Sequence, residues 1–220
     1  MRMKSLTLFS KNLKRLKGFY QRNLEFQITD DNSHSFRLKT RYSELRFIES
    51  DHTAPYHFAI TIPSNLEAAC LHWLGERVEI LKFAGREMIE FDNWNARSMY
   101  FYDTDNNIVE FISRRNLSFQ SNRKFGVESL VEISEIGLAT DNIQNVHEFL
   151  FRHFKLKIFD GGFESFCAIG DERGLFIVVD KDNKKWFPTD DDIHVSDFIV
   201  VIDTPTGDAE LKYIDGKMEF

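Results

Sequence analysis

Only two cysteines, four prolines and eleven glycines occur among the 220 residues of this chain. Cys70 and Cys167 lie far apart in a chain long enough to bury a core, so a disulfide scaffold is not expected and both thiols should be reduced. No apolar run approaches the ~20 residues of a membrane span. The opening MRMKSLTLFS also lacks the long apolar stretch of a signal peptide. An excess of positive charge is missing as well: the net charge is −7, and no Lys/Arg cluster forms a basic stripe. Nucleic acid and anionic membrane are therefore poor partners for it. A glycine-rich phosphate loop, a serine nucleophile elbow and a His-Glu-x-x-His helix are all absent from the sequence. These absences point to a soluble, cytoplasmic globular protein and say nothing of its chemistry.

Apolar residues make up 42% of the chain, and 22 of them are phenylalanine, enough for one large domain or two small ones. Strand-length apolar runs recur with few helical patterns between them. One order repeats: a short strand, then Asn-Leu or Asn-Ile, then a helix, then further strands. A shift of 53 residues lays Asn12-Leu13 on Asn65-Leu66, and one of 77 lays that pair on Asn142-Ile143. Asparagine suits the position because its side chain accepts from an unpaired amide of the first helical turn. The repeat predicts an α+β fold of tandem βαβββ modules. Residues 1–50 and 55–115 are expected to pair into one cup. Residues 116–128 form a linker, and 129–220 hold a third module and a truncated fourth. The stretch DKDNKKWFPTDDD after Val179 reads as a charged loop.

Two residues stand out for chemistry. In the strand Tyr56–Ile62, His57 shares a face with Ala59 and Thr61, opposite the greasy Phe58, Ile60 and Ile62. In the strand Ile108–Ile112, Glu110 is flanked on its face by two isoleucines, an unusual place for a carboxylate unless it is paired or binds a metal. An imidazole and a carboxylate at the two ends of one module suit a divalent cation; the bland alternative is a satisfied strand histidine and an edge glutamate in water. Tyr100 could present its hydroxyl to a ligand or pack across strands. Asn93 and Trp94 precede a cup strand and either line a pocket or form a surface loop with a half-buried indole. The acidic turn Asp103-Thr104-Asp105 fails as a calcium loop, since Ile108 and Arg114 stand where glycine and glutamate are needed.

The segment YHFAITIPSNLEAACLHWL, followed by SMYFYDTDNNIVEF, resembles a module of the vicinal oxygen chelate superfamily. That superfamily includes glyoxalase I, bleomycin-resistance proteins, extradiol dioxygenases and fosfomycin-resistance enzymes. The resemblance is carried mainly by Pro55–Ser113. It implies paired βαβββ modules cupped around a metal, with one ligand early in a first strand and another in a last strand, the places of His57 and Glu110. Asp103–Asn107 matches the family's Asp-Pro-x-Gly-Asn turn, with Thr104 in place of proline and Asn106 in place of glycine; Asn tolerates the left-handed conformation such a turn needs. The paired module offers Lys4 opposite His57, so a third ligand would have to be Glu49 or His52. The third copy offers Ser134. The resemblance thus implies a divalent metal (Zn, Mn, Fe or Ni) bound by His57 and Glu110, with Asn93, Trp94 and Tyr100 at the substrate. The activity would be that of a metal-dependent lyase, isomerase or dioxygenase acting on adjacent oxygens of a small molecule. The alternatives are a non-catalytic sequestering protein and a structural partner with a filled cup. Because the fourth copy is truncated, a second chain is expected to complete its cup as a homodimer.

Overall fold

Four strand-rich units follow one another in the computed structural model, which describes residues 1–204 and 207–220. The first contains β1 (Met3–Ser10), α1 (Leu13–Arg22), β2 (Ile28–Thr29), β3 (Ser35–Lys39) and β4 (Glu44–Glu49). The second contains β5 (His57–Thr61), α2 (Glu67–Gly75), β6 (Ile80–Leu81), β7 (Ile89–Phe91), β8 (Ala96–Tyr102) and β9 (Ile108–Arg114). The third contains β10 (Ile133–Thr140), α3 (Ile143–Phe154), β11 (Ile158–Gly161), β12 (Phe166–Asp171) and β13 (Gly174–Asp180). A small hairpin, β14 (Lys185–Trp186) and β15 (Asp191–Asp192), leads to a helix-free fourth unit. That unit consists of β16 (Phe198–Thr204), β17 (Gly207–Ile214) and β18 (Lys217–Glu219). The α+β architecture of open, mixed sheets is the expected one.

The expected asparagine caps form at two of the three helices. Asn12 accepts from the Arg15 amide at 3.1 Å and Asn142 from the Asn145 amide at 2.9 Å. Asn65 does not cap. It lies in a 3-10 turn, Ser64–Leu66, ahead of α2, and its side chain bonds Ser121 instead.

Pairing of the units departs from the sequence reading. Units two and three form one nine-stranded sheet, in which β5 and β10 lie antiparallel at the centre. Their last strands, β9 and β13, run parallel to them on either side. Units one and four form a second, seven-stranded sheet around the antiparallel pair β1 and β16. Burial explains the choice. Every residue of β5 and of β10 is buried, so each requires a neighbour covered on both faces. β1 and β16 alternate between buried and half-exposed positions and match each other. In the fourth unit, β17 returns antiparallel beside β16, as a chain without a crossover helix must. The cup made by units two and three is complete within one chain, so the argument for a second copy does not apply to it.

The helix-bearing faces of both sheets meet in one core. It includes Leu6, Leu8 and Phe47 from one sheet with Phe58, Phe111 and Ile136 from the other. Cys70 and Cys167 are free and buried. Residues 116–128 are packed rather than loose: Phe125 is buried against Trp73, and the backbone just beyond bonds Thr61 and Tyr42.

Candidate functional site

Strand alternation sends Phe58, Val109, Met99 and Ile136 into the shared core, which forces their neighbours onto the opposite, concave face. That face receives His57 from β5, Glu110 and Arg114 from β9, Tyr100 from β8 and Glu135 from β10. In register, Ala59 is flanked by Glu110 on one side and Glu135 on the other, while Tyr100 pairs with Glu110. The site therefore sits across the central seam of the sheet, with both units contributing.

His57 Nδ1 lies 3.2 Å from the Ile108 carbonyl oxygen. A carbonyl only accepts, so Nδ1 carries the hydrogen and Nε2 is turned toward the carboxylates. From Nε2 the distances are 3.5 Å to Glu110 Oε2 and 3.7 Å to Glu135 Oε2. The donor atoms of the three residues all lie within 4.8 Å of one another, and all three side chains are buried. Both gaps exceed the range of a good hydrogen bond. They are close to the roughly 3.4 Å that separates two ligand atoms bound at about 2.1 Å to one tetrahedral ion. The set therefore fits a divalent cation by its chemistry and its spacing, and the mix of one imidazole with two carboxylates suits Mn, Fe or Zn.

Burial and mutual charge shape the electrostatics. Burial raises the Glu110 pKa, and the neighbouring Glu135 charge raises it further, to about 7. Burial alone would lower the His57 pKa. The acceptor Glu135 and the charges of Glu110 and Glu135 outweigh it, so the imidazole titrates above its usual value. The Tyr100 hydroxyl is pushed well up, first by burial and then by Glu110 and Glu135, and stays protonated. Glu135 is also ion-paired through its other oxygen, Oε1, to the fully buried Arg114 guanidinium.

A cavity of about 500 Å³ opens above these groups. Phe91 and Trp94 from the second unit and Phe166, Ile177 and Val179 from the third form its walls. The hairpin β14–β15 closes it. Trp186 lies with its ring centroid 5.4 Å from that of His57, and Phe187 sits edge-on to Tyr100 at 5.7 Å. Gly137 makes the close approach of Trp186 feasible, because a Cβ there would meet the indole at 2.6 Å. The stretch read from sequence as a charged loop is thus the roof of the cup: its Trp-Phe pair turns in, and Lys184 and Lys185 line the cavity beside it, Lys184 over the Phe166 ring.

Of the candidate residues, His57, Glu110 and Tyr100 come together at the floor, while Asn93 and Trp94 lie on the rim. The Trp94 indole Nε1 donates to Asp160 at 2.6 Å, tying the second unit to the edge of the third. Glu49 and His52 do not reach the site. Glu49 is exposed on the other sheet and pairs with His34, and His52 is exposed in the loop that follows. The carboxylate that joins instead is Glu135, one residue beyond the Ser134 indicated by the repeat. The connection from strand to helix differs between the units, with Asn65 in a 3-10 turn ahead of α2 and Asn142 capping α3 directly; this displaces the count by one, and in a strand one residue exchanges the faces. Glu135 was open to the argument that singled out Glu110, a carboxylate inside an apolar strand. Arg114 carried a weaker sign of the same kind, sharing a face with Glu110 and Ile112.

No family profile matches the sequence, and no curated protein matches it. Solved structures do share the fold. A protein of Bacillus subtilis described as a "putative dioxygenase" superposes with a TM-score of 0.57 at 12% identity, covering 81% of this chain and 63% of its own. The chain thus spans less than two thirds of that protein. Lactoylglutathione lyase from Agrobacterium tumefaciens matches at a TM-score of 0.44 and 14% identity, over 54% of this chain and 97% of its own. The fosfomycin resistance protein FosX from Listeria monocytogenes matches at 0.41 and 20% identity, over 51% of this chain and 93% of its own. The superposition on the Bacillus subtilis protein shows a shared fold. No helix among the described residues is long and apolar enough to cross a membrane.

Proposed function

We propose that the chain is a metal-dependent lyase, isomerase or dioxygenase of a small organic molecule, with the cup of units two and three as its active site. His57 Nε2, Glu110 and Glu135 Oε2 would hold one divalent cation. The observation that carries this reading is the convergence of three buried donors, too far apart to satisfy one another, on the floor of an aromatic cavity. A bound ion supplies a Lewis acid that polarises a ligand oxygen and offsets developing negative charge. The chain's own residues do the rest. Ile108 fixes the imidazole orientation, Tyr100 presents a protonated hydroxyl beside Glu110, and Asn93 and Trp94 border the mouth. Trp186 and Phe187 keep bulk water from the floor. The fold itself hosts several chemistries and does not choose among them.

One observation favours a second reading. With Arg114 on Glu135, the buried cluster holds cations as well as carboxylates, a composition that also suits a sequestering protein binding its ligand in the cup without metal. Metal analysis of protein purified without chelators or a metal column separates the two. Near-stoichiometric transition metal, lost in His57→Ala and Glu110→Ala, is the expected result. Metal-free protein that still binds aromatic ligands in the cup would establish the sequestering role.

A further inference from the structure

Arg114 has no role in the site as described so far, yet its surroundings are unusual. Its side chain is fully buried, the largest such side chain among the described residues. It lies beneath the Trp94 ring, with the guanidinium carbon 5.2 Å from the ring centroid. Among the described residues its Nε and Nη1 have no hydrogen-bond partner, and its ion pair runs from Nη2 to Glu135 Oε1. A buried guanidinium without a carboxylate is strongly disfavoured, so this single bond fixes both groups. Glu135 is the only proposed ligand contributed by the third unit. Its orientation is therefore decided by a residue of the second unit, reaching across the seam between β5 and β10.

We infer that Arg114 is the positioning residue of the metal site: it occupies Glu135 Oε1 and leaves Oε2 as the single oxygen offered to the ion. The inference rests on the proposed metal site and adds its coordination mode. Three features of the geometry support it. Oε1 faces Arg114 while Oε2 faces His57, so the carboxylate is already divided between two partners. Trp94 covers the guanidinium and prevents it from turning out to solvent. Among the described residues Nε and Nη1 have no hydrogen-bond partner, so Glu135 is the group that orients the guanidinium by hydrogen bonding, and the positions of the two depend on each other. Hydrogen-bonding groups behind a ligand commonly change metal affinity 10–100-fold when removed.

Titration of the chelated protein with Co²⁺, followed by calorimetry and by visible absorption, tests the assignment. Wild type should bind about one ion with a defined ligand-field spectrum. Arg114→Met keeps the volume and removes the clamp. It should bind about 10–100-fold more weakly and show a changed spectrum, as Glu135 turns or engages with both oxygens. Arg114→Lys covers the case in which the Met variant does not fold. It keeps a buried cation opposite Glu135, but a point donor that swings between both oxygens lacks the planar fork, so an intermediate affinity and an altered spectrum are expected. Circular dichroism and thermal melting establish that each variant is folded. A folded variant with wild-type affinity and an unchanged spectrum, or one that binds more tightly, overturns the role of Arg114. If wild type itself takes up no Co²⁺, the metal site fails and this inference with it, an outcome distinct from the first.

Discussion

The two sheets of this molecule share a plan and differ in what they do with it. In each, two first strands lie antiparallel at the centre, and a last strand runs parallel beside β5 and beside β1. Register identifies the corresponding residues. Where the cup sheet has His57, Glu110 and Glu135, the other has Ser5, Arg46 and Ile199. Where the cup sheet has Gly137 under the Trp186 roof, the other has Val201. The cup residues are buried, whereas Ser5, Arg46, Ile199 and Val201 are half-exposed, and among the described residues no hairpin is inserted to cover them. The same backbone therefore supports the proposed ligand set in one place and a wet surface in the other. Three side chains and a roof make the site; the cupped sheet only makes room for it.

That contrast is broken most directly by substitution at matched positions. His57→Ala or Glu110→Ala should reduce metal uptake below detection, while Ser5→Ala or Arg46→Ala should leave it at the wild-type level in the same metal analysis. Equal loss from both sheets would show that the register correspondence does not separate a site from a scaffold.

Next in size is a pH effect where the two sheets join. Asp103, in the turn before β9, is buried and accepts from the Tyr20 hydroxyl of α1 at 2.8 Å and from Asn107. Burial dominates over these hydrogen bonds and raises its pKa to about 6. In the unfolded chain it ionises near 3.9. The folded state thus holds the proton more tightly, so this group's contribution to stability is greatest below about pH 4 and falls as pH rises to about 6. The total change is about 3 kcal/mol, constant above that range. Urea unfolding of wild type and Asp103→Asn between pH 4 and 8 measures it: the difference between the two proteins should drift by that amount, and a flat difference would exclude the shift.

The architecture was legible in the sequence because it rests on periodicity. The strands read over Tyr56–Ile62 and Ile108–Ile112 form as β5 and β9, and α1 and α3 start after Asn12 and Asn142 as the repeat indicates, since these patterns are written locally. The choice of partner for each unit was not legible. It depends on matching β5 to an equally buried β10, a property of two strands more than seventy residues apart. His57 and Glu110 were singled out because a polar residue on a strand face among apolar neighbours is a local anomaly. Glu135 was not singled out because the count from the repeat took Asn65 and Asn142 as equivalent, whereas only Asn142 caps its helix, and the offset of one exchanges the strand face. Trp186 was hidden by its charged neighbours, since loop composition reports solvent exposure and not where one indole turns.

Smaller effects sharpen the comparison at the roof. Gly137→Ala places a methyl where Trp186 already sits and 3.2 Å from His57 Cβ, so the hairpin must lift. Overpacking of this kind costs about 1–3 kcal/mol. Thermal melting should register that loss, together with red-shifted tryptophan emission as Trp186 gains water. The matched change in the other sheet, Val201→Ala, should leave the emission unaltered. An unshifted spectrum in Gly137→Ala would show that the roof does not depend on this contact.

The smallest effect concerns Tyr56, which precedes β5 and holds both sheets at once. Its hydroxyl accepts from the Phe9 amide at 3.1 Å and donates to the Asp197 carbonyl at 2.6 Å, so it grips the end of β1 and the approach to β16. Tyr56→Phe leaves both backbone groups without that partner. They are only partly buried and water replaces some of the loss, so about 1 kcal/mol of stability should go. Metal affinity should change by less than about twofold, because the hydroxyl faces the first sheet and shares no partner with the ligands. A larger change in affinity would mean that the wet sheet and the roofed one are energetically linked through this side chain, and that the scaffold half tunes the site it does not contain.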